Sequence, residues 1–101
     1  MIGETLRLLR VFNNYSSVDL SKKIGLSQSY ISEIEHGKKK PNLQTIDKYS
    51  VLFDIKPSTI LLFSEVLDKE RLSEVHGSKQ YVAYAGAKLL KIMEQIGQFD
   101  V

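Results

Sequence analysis

Two short helical segments, each opened by a serine and closed by a glycine, lie back to back in the stretch SSVDLSKKIGLSQSYISEIEHGKKKP, residues 16–41. In the first, Ser16 stands where an N-cap is needed, and Asp19 follows at capping-box spacing. Tyr15 and Leu20 occupy the two positions of a hydrophobic staple. Leu20 and Ile24 make an apolar edge, and Gly25 is free to take the positive φ that ends a helix. The second segment repeats these signals. Ser27 is the cap, Leu26 and Ile31 are staple-spaced, and the helix is expected from Gln28 to His36, with Ile31 and Ile34 on one face and Gly37 as the stop. Two capped helices around a three-residue glycine turn have helix-turn-helix spacing.

The remaining sequence reads as scaffold for this pair. Ile2, Leu6, Leu9 and Phe12 recur at helical spacing, which predicts a first helix over residues 2–13, with Arg7 and Arg10 among its polar positions. Asn13-Asn14 suits its left-handed end. Asn42 is placed to cap a fourth helix carrying Leu43, Ile46, Tyr49 and Phe53. Pro57 or Ser58 starts a fifth with Ile60, Leu61 and Phe63, complete by about residue 65. Residues 66–76 predict a further helical segment ended by Gly77. From 78 to 99, Val82, Ala85, Leu89, Ile92, Ile96 and Phe99 alternate in steps of three and four, a heptad seam of the kind that pairs helices. No run of period two demands a strand. The expected architecture is all-α, with a DNA-binding domain at 1–66 and, at 67–101, a helical extension for dimerisation or partner binding.

Composition narrows the chemistry. At 43% hydrophobic and 26% charged, the chain has enough apolar residues for an ordinary folded core. With no cysteine, disulfides, thiolate metal sites and cysteine nucleophiles are excluded. His36 and His76 are the only histidines, and a zinc site at either would need several carboxylates to complete it, so no metal or cofactor is expected. No apolar run is long enough for a bilayer and no signal segment is visible, so the expected location is cytoplasmic. Net charge is only +2, but it is unevenly spread. Residues 1–66 carry nine Lys/Arg against seven Asp/Glu, residues 67–101 carry five of each, and Lys38, Lys39 and Lys40 are contiguous directly after the second helix of the pair.

A helix with small polar residues at its start fits the major groove, where each base pair shows its own pattern of donors and acceptors. Gln28 can donate and accept, which matches adenine N6 and N7. Glu33, accepting only, favours the cytosine amino group, and Ser29 and Ser32 allow close approach. Backbone N–H groups at the two helix starts, near Ser17 and Ser27, can bind phosphate. Lys38, Lys39 and Lys40 add attraction that carries no sequence information. Tyr30 and Arg10 complete the candidate phosphate set.

Residues 3–64 resemble the Xre/Cro/lambda-repressor family of helix-turn-helix domains. The resemblance rests on GETLRLLR, on S-x-x-D-L-S-K-K-I-G-L-S-Q-S-Y-I-S-x-I-E-x-G, on K-x-P-N-L-x-T-I and on the IKPSTIL tail. It implies a five-helix all-α domain, with Gln28, Ser29, Ser32 and Glu33 at base-contacting positions and Lys38 and Asn42 in the phosphate-contacting loop. It also implies that Arg10 pairs with Glu35, holding the first helix against the end of the third. Two positions depart from the pattern. Ser17 stands where the family usually has a glutamine that touches phosphate and braces the groove helix, and Ser21 replaces the usual alanine at the helix crossing. The expected function is a homodimeric repressor that binds double-stranded DNA and is not an enzyme. The alternative is an antitoxin that represses its own operon and binds a toxin through the C-terminal region.

Overall fold

The computed structural model describes residues 2–69 and 79–95. Among them are six helices and no strand: α1 (Ile2–Phe12), α2 (Ser17–Ile24), α3 (Gln28–Glu35), α4 (Leu43–Phe53), α5 (Pro57–Lys69) and α6 (Lys79–Gln95). The signals that start and stop them are side-chain hydrogen bonds. Ser16 accepts from the Asp19 N–H, Ser27 from the Tyr30 N–H, and Asn42 from the Thr45 N–H. Each satisfies one of the orphan donors of a helix start, worth roughly 1 kcal/mol. Asn14 ends α1 with φ 61°, and Gly25 ends α2 with φ 71°. The Gly25 N–H returns to the Ser21 carbonyl, and Ser21 Oγ donates across the turn to the Leu26 carbonyl at 2.6 Å.

The helices bury one stripe each. Leu6, Leu20, Ile31, Ile34, Ile60 and Phe63 are fully shielded, each such side chain contributing about 1.5–3 kcal/mol of transfer free energy. α1 runs through the middle, touching α3, α4, α5 and α6. Its start presses so closely on α3 that a Cβ at Gly3 would collide with the Ile34 carbonyl oxygen. Only glycine allows this approach.

The C-terminal half differs from expectation. α5 does not end near residue 65. It continues unbroken through Val66 and Leu67 to Lys69, because Leu67 extends its buried stripe. The proposed boundary at 66–67 therefore falls inside a helix. Residues 70–78, with the expected glycine stop at 77, lie outside the described residues. α6 packs on α1 and α5, and Ala85, Leu89 and Ile92 are buried in the same core as the other helices. The seam expected to pair with a second chain is, at these three positions, filled by the chain's own domain. Intramolecular packing keeps them dry without a partner. The Val82 side chain, Ile96 and Phe99 lie outside the described residues. Gly86 faces the Phe12 ring, to which a Cβ would come within 3.4 Å, so the close neighbour there is a side chain of α1 and not another backbone.

Candidate DNA-binding surface

α3 is held at both ends. At its start, Gln28 Nε2 donates to Ser17 Oγ at 3.1 Å. Ser17 thus braces Gln28 despite its short reach. The contact uses one amide hydrogen and leaves the other hydrogen and the amide oxygen for a base edge, the pair adenine requires. At the other end, Glu35 is nearly inaccessible, its side chain 3% exposed. Arg10 reaches it from α1, with Nε at 3.1 and 3.0 Å from the two carboxylate oxygens and Nη2 at 2.9 Å from Oε1. The pairing implied by the family resemblance is present as a forked, charge-assisted contact. Arg10 Nη1 donates to the Tyr15 carbonyl at 2.9 Å.

These contacts remove Arg10 from the phosphate set. Its Nε, Nη1 and Nη2 are all engaged inside the protein and its side chain is only 16% exposed. The Tyr30 hydroxyl is engaged within the protein as well. Thr45 Oγ1 donates its one hydrogen to Asn42 Oδ1 at 2.9 Å. With that hydrogen spent, the tyrosine hydroxyl is the donor in the 3.3 Å contact between Tyr30 and Thr45, so a phosphate would have to displace this bond. Tyr30 is part of a brace between α3 and α4.

The other candidates remain outward. Gln28, Ser29 and Ser32 are exposed on α3. Glu33 is partly exposed and its carboxylate lies 3.5 Å from Lys39 Nζ. A surface pair of this kind is worth at most about 1 kcal/mol, so Glu33 can exchange it for a base. Lys38, Lys39 and Lys40 are exposed on a loop that is tied down, since the Lys38 and Lys39 N–H groups donate to the Glu33 carbonyl at 2.8 and 3.2 Å. Gly37, at φ 78°, makes that turn possible. Asn42 is exposed, and its cap bonds use Oδ1 and not Nδ2. Ser27 accepts from the Tyr30 N–H and keeps its hydroxyl hydrogen, as does Ser17 after accepting from Gln28. Ser17, Ser27 and Asn42 can each still donate to a phosphate. His36, the exposed C-cap of α3, holds Nδ1 at 2.8 Å from the Ser32 carbonyl, so Nδ1 carries the hydrogen.

Two residues with a structural hold on α3 escaped the sequence reading. Tyr49, fully buried on α4, donates its hydroxyl to Glu35 Oε2 at 3.1 Å. Burial pushes its phenol well above the ordinary value, and the charge and hydrogen bond of Glu35 add to the rise, so it stays a donor. Thr45, also buried, links Tyr30 to Asn42. A tyrosine in an otherwise apolar stripe was the available signal, because a buried hydroxyl must find a partner.

A family model described as helix-turn-helix, HTH_3, matches residues 6–60, more than half of the chain. The chain belongs to this helix-turn-helix family. Among curated relatives, the HTH-type transcriptional regulator SinR of Bacillus subtilis (strain 168) is 34% identical over 62 residues, covering 60% of this chain and 56% of SinR. The immunity repressor protein of Bacillus phage phi105 is 28% identical over 79 residues, covering 78% of this chain and 54% of the repressor. An uncharacterized HTH-type transcriptional regulator, MJ0272 of Methanocaldococcus jannaschii, is 33% identical over 60 residues, 59% of this chain and 91% of that protein. The chain thus spans about half the length of the SinR and phage relatives. No solved structure matches it at a significant level. The HTH_3 match covers α2, the turn and α3 in full, together with the cap of α4. Among the described residues, no helix is long and apolar enough to cross a membrane.

Proposed function

We propose that the protein is a sequence-specific transcriptional regulator of double-stranded DNA, acting as a homodimeric repressor on a near-palindromic operator. The observation that carries this reading is the exposed polar start of α3, Gln28-Ser29 with Ser32, presented by a helix fixed at both ends and flanked by Ser17, Ser27, Asn42 and Lys38 to Lys40. Gln28, Ser29, Ser32 and Glu33 read base edges. The serines, Asn42 and the lysines set the register on the backbone. That relatives are named as transcriptional regulators and as an immunity repressor agrees with it.

Two copies place their α3 helices about 34 Å apart, one turn of the duplex. With Ala85, Leu89 and Ile92 enclosed, the dimer contact we propose uses the outer face of α6, where Leu90 is 52% and Tyr84 45% exposed. Selection of bound sequences from random DNA tests the reading. Enrichment of a two-fold related site is expected, and absence of any enrichment would overturn it. Light scattering of Leu90→Asp tests the dimer face. Monomers are expected, and an unchanged dimer would move the contact elsewhere.

A further inference from the structure

We propose that Tyr49, which lies in the core away from the DNA-binding surface, is a positioning residue for base reading: its hydroxyl fixes the pose of α3 against the start of α2. The proposal rests on α3 being the groove helix.

The Arg10 fork alone leaves Glu35 one freedom. Its contacts all come from a single planar guanidinium, so the carboxylate can still tilt about the axis they share. Tyr49 adds a bond to Oε2 from a different helix, outside that fork. Two other helices, α1 and α4, then converge on the last residue of α3. The constraint also passes back to the other DNA-facing element. The Tyr49 ring lies 6.1 Å from Phe53, and Phe53 lies 5.5 Å from Tyr15. The Tyr15 carbonyl in turn accepts from Arg10. The circuit Glu35, Tyr49, Phe53, Tyr15, Arg10 closes on itself. Tyr15 immediately precedes the cap of α2 and Ser17, the residue that holds Gln28. Both ends of α3 are therefore referred to one ring of contacts, buried at Glu35 and Tyr49 and partly buried at Arg10, Tyr15 and Phe53. Base contacts need side chains held to about half an ångström, whereas lysine–phosphate attraction tolerates far more. Loosening the ring should cost discrimination before it costs general affinity.

Tyr49→Phe keeps every aromatic contact and removes only the hydroxyl. Affinity for the selected operator and for a random duplex is measured across a salt series, alongside thermal unfolding. The operator-to-random ratio is expected to fall about fivefold or more, with random-duplex affinity and salt slope unchanged. Ile92→Val, a small core change on α6, serves as the stability control and should keep the wild-type ratio at a comparable drop in Tm. An unchanged ratio in Tyr49→Phe, or an equal fall in Ile92→Val, overturns the positioning role. Gln28→Ala separates the two levels. If it too leaves the ratio intact, the groove-helix reading itself fails. If it lowers the ratio while Tyr49→Phe does not, only the role of Tyr49 fails.

Discussion

Replacing Glu35 with alanine should be among the most damaging single changes available in the chain. The carboxylate is 3% exposed and accepts from Arg10 Nε and Nη2 and from the Tyr49 hydroxyl. Its removal leaves a guanidinium that is only 16% exposed without its counter-charge, a loss of about 3–5 kcal/mol for a broken buried pair. It also strands a fully buried phenol, worth a further 1–3 kcal/mol or so. The two costs overlap because they share one carboxylate, so about 4 kcal/mol is expected in total. A domain of this size has roughly 5–15 kcal/mol to lose, and Tm should fall by about 15–30 °C. Urea unfolding followed by circular dichroism gives the value directly. Arg10→Met combined with Glu35→Ala should cost clearly less than the two single changes added together, since the stranded charge disappears. A loss below about 1 kcal/mol for Glu35→Ala would place the pair among ordinary surface bridges and refute the clamp.

Further outcomes are expected. Gln28→Ala should lose about 1–3 kcal/mol of discrimination at particular base pairs, seen when operator variants are compared in titrations. Lys39→Ala should weaken binding to all sequences alike and reduce the salt slope by about 1; a sequence-dependent effect would contradict its assignment. Gly3→Ala should force α1 away from the Ile34 carbonyl and lower Tm, whereas Gly25→Ala has open space around it and should cost only the strain of φ 71°, about 1 kcal/mol. Alkaline stability should carry the mark of Tyr49. An unfolded tyrosine ionises near pH 10 while the buried one resists. Its contribution is therefore complete below about pH 10 and fades above it by up to about 1.4 kcal/mol per pH unit, a loss that Tyr49→Phe should not show in urea unfolding.

The helix-turn-helix could be read from the chain because its signals are local. Ser16, Gly25, Ser27 and Asn42 act on backbone groups within four residues, and the structure places each where its chemistry requires. Ser17 looked too short to brace α3 because side-chain reach is not the only variable. The turn brings α2 close enough for a hydroxyl to suffice. Periodicity reveals neither the partner of Tyr30, 15 residues away, nor that of Arg10, 25 residues away; the Arg10–Glu35 pair was legible only through the family resemblance. The α6 seam was visible as a pattern at Ala85, Leu89 and Ile92. A heptad pattern specifies an apolar partner surface and is silent on which chain supplies it.

That α1 packs on α6 has a consequence for the order of events during synthesis. Among the described helices, α1 is made before the four it packs against most, α3, α4, α5 and α6, and its Phe12 side waits for Gly86. A nascent chain that has reached only the end of α5 carries all of α2 and α3 yet leaves that side of α1 bare. Closing it joins residues more than seventy positions apart, a late and entropically demanding contact. Acquisition of the finished core should therefore trail the appearance of the helix-turn-helix itself.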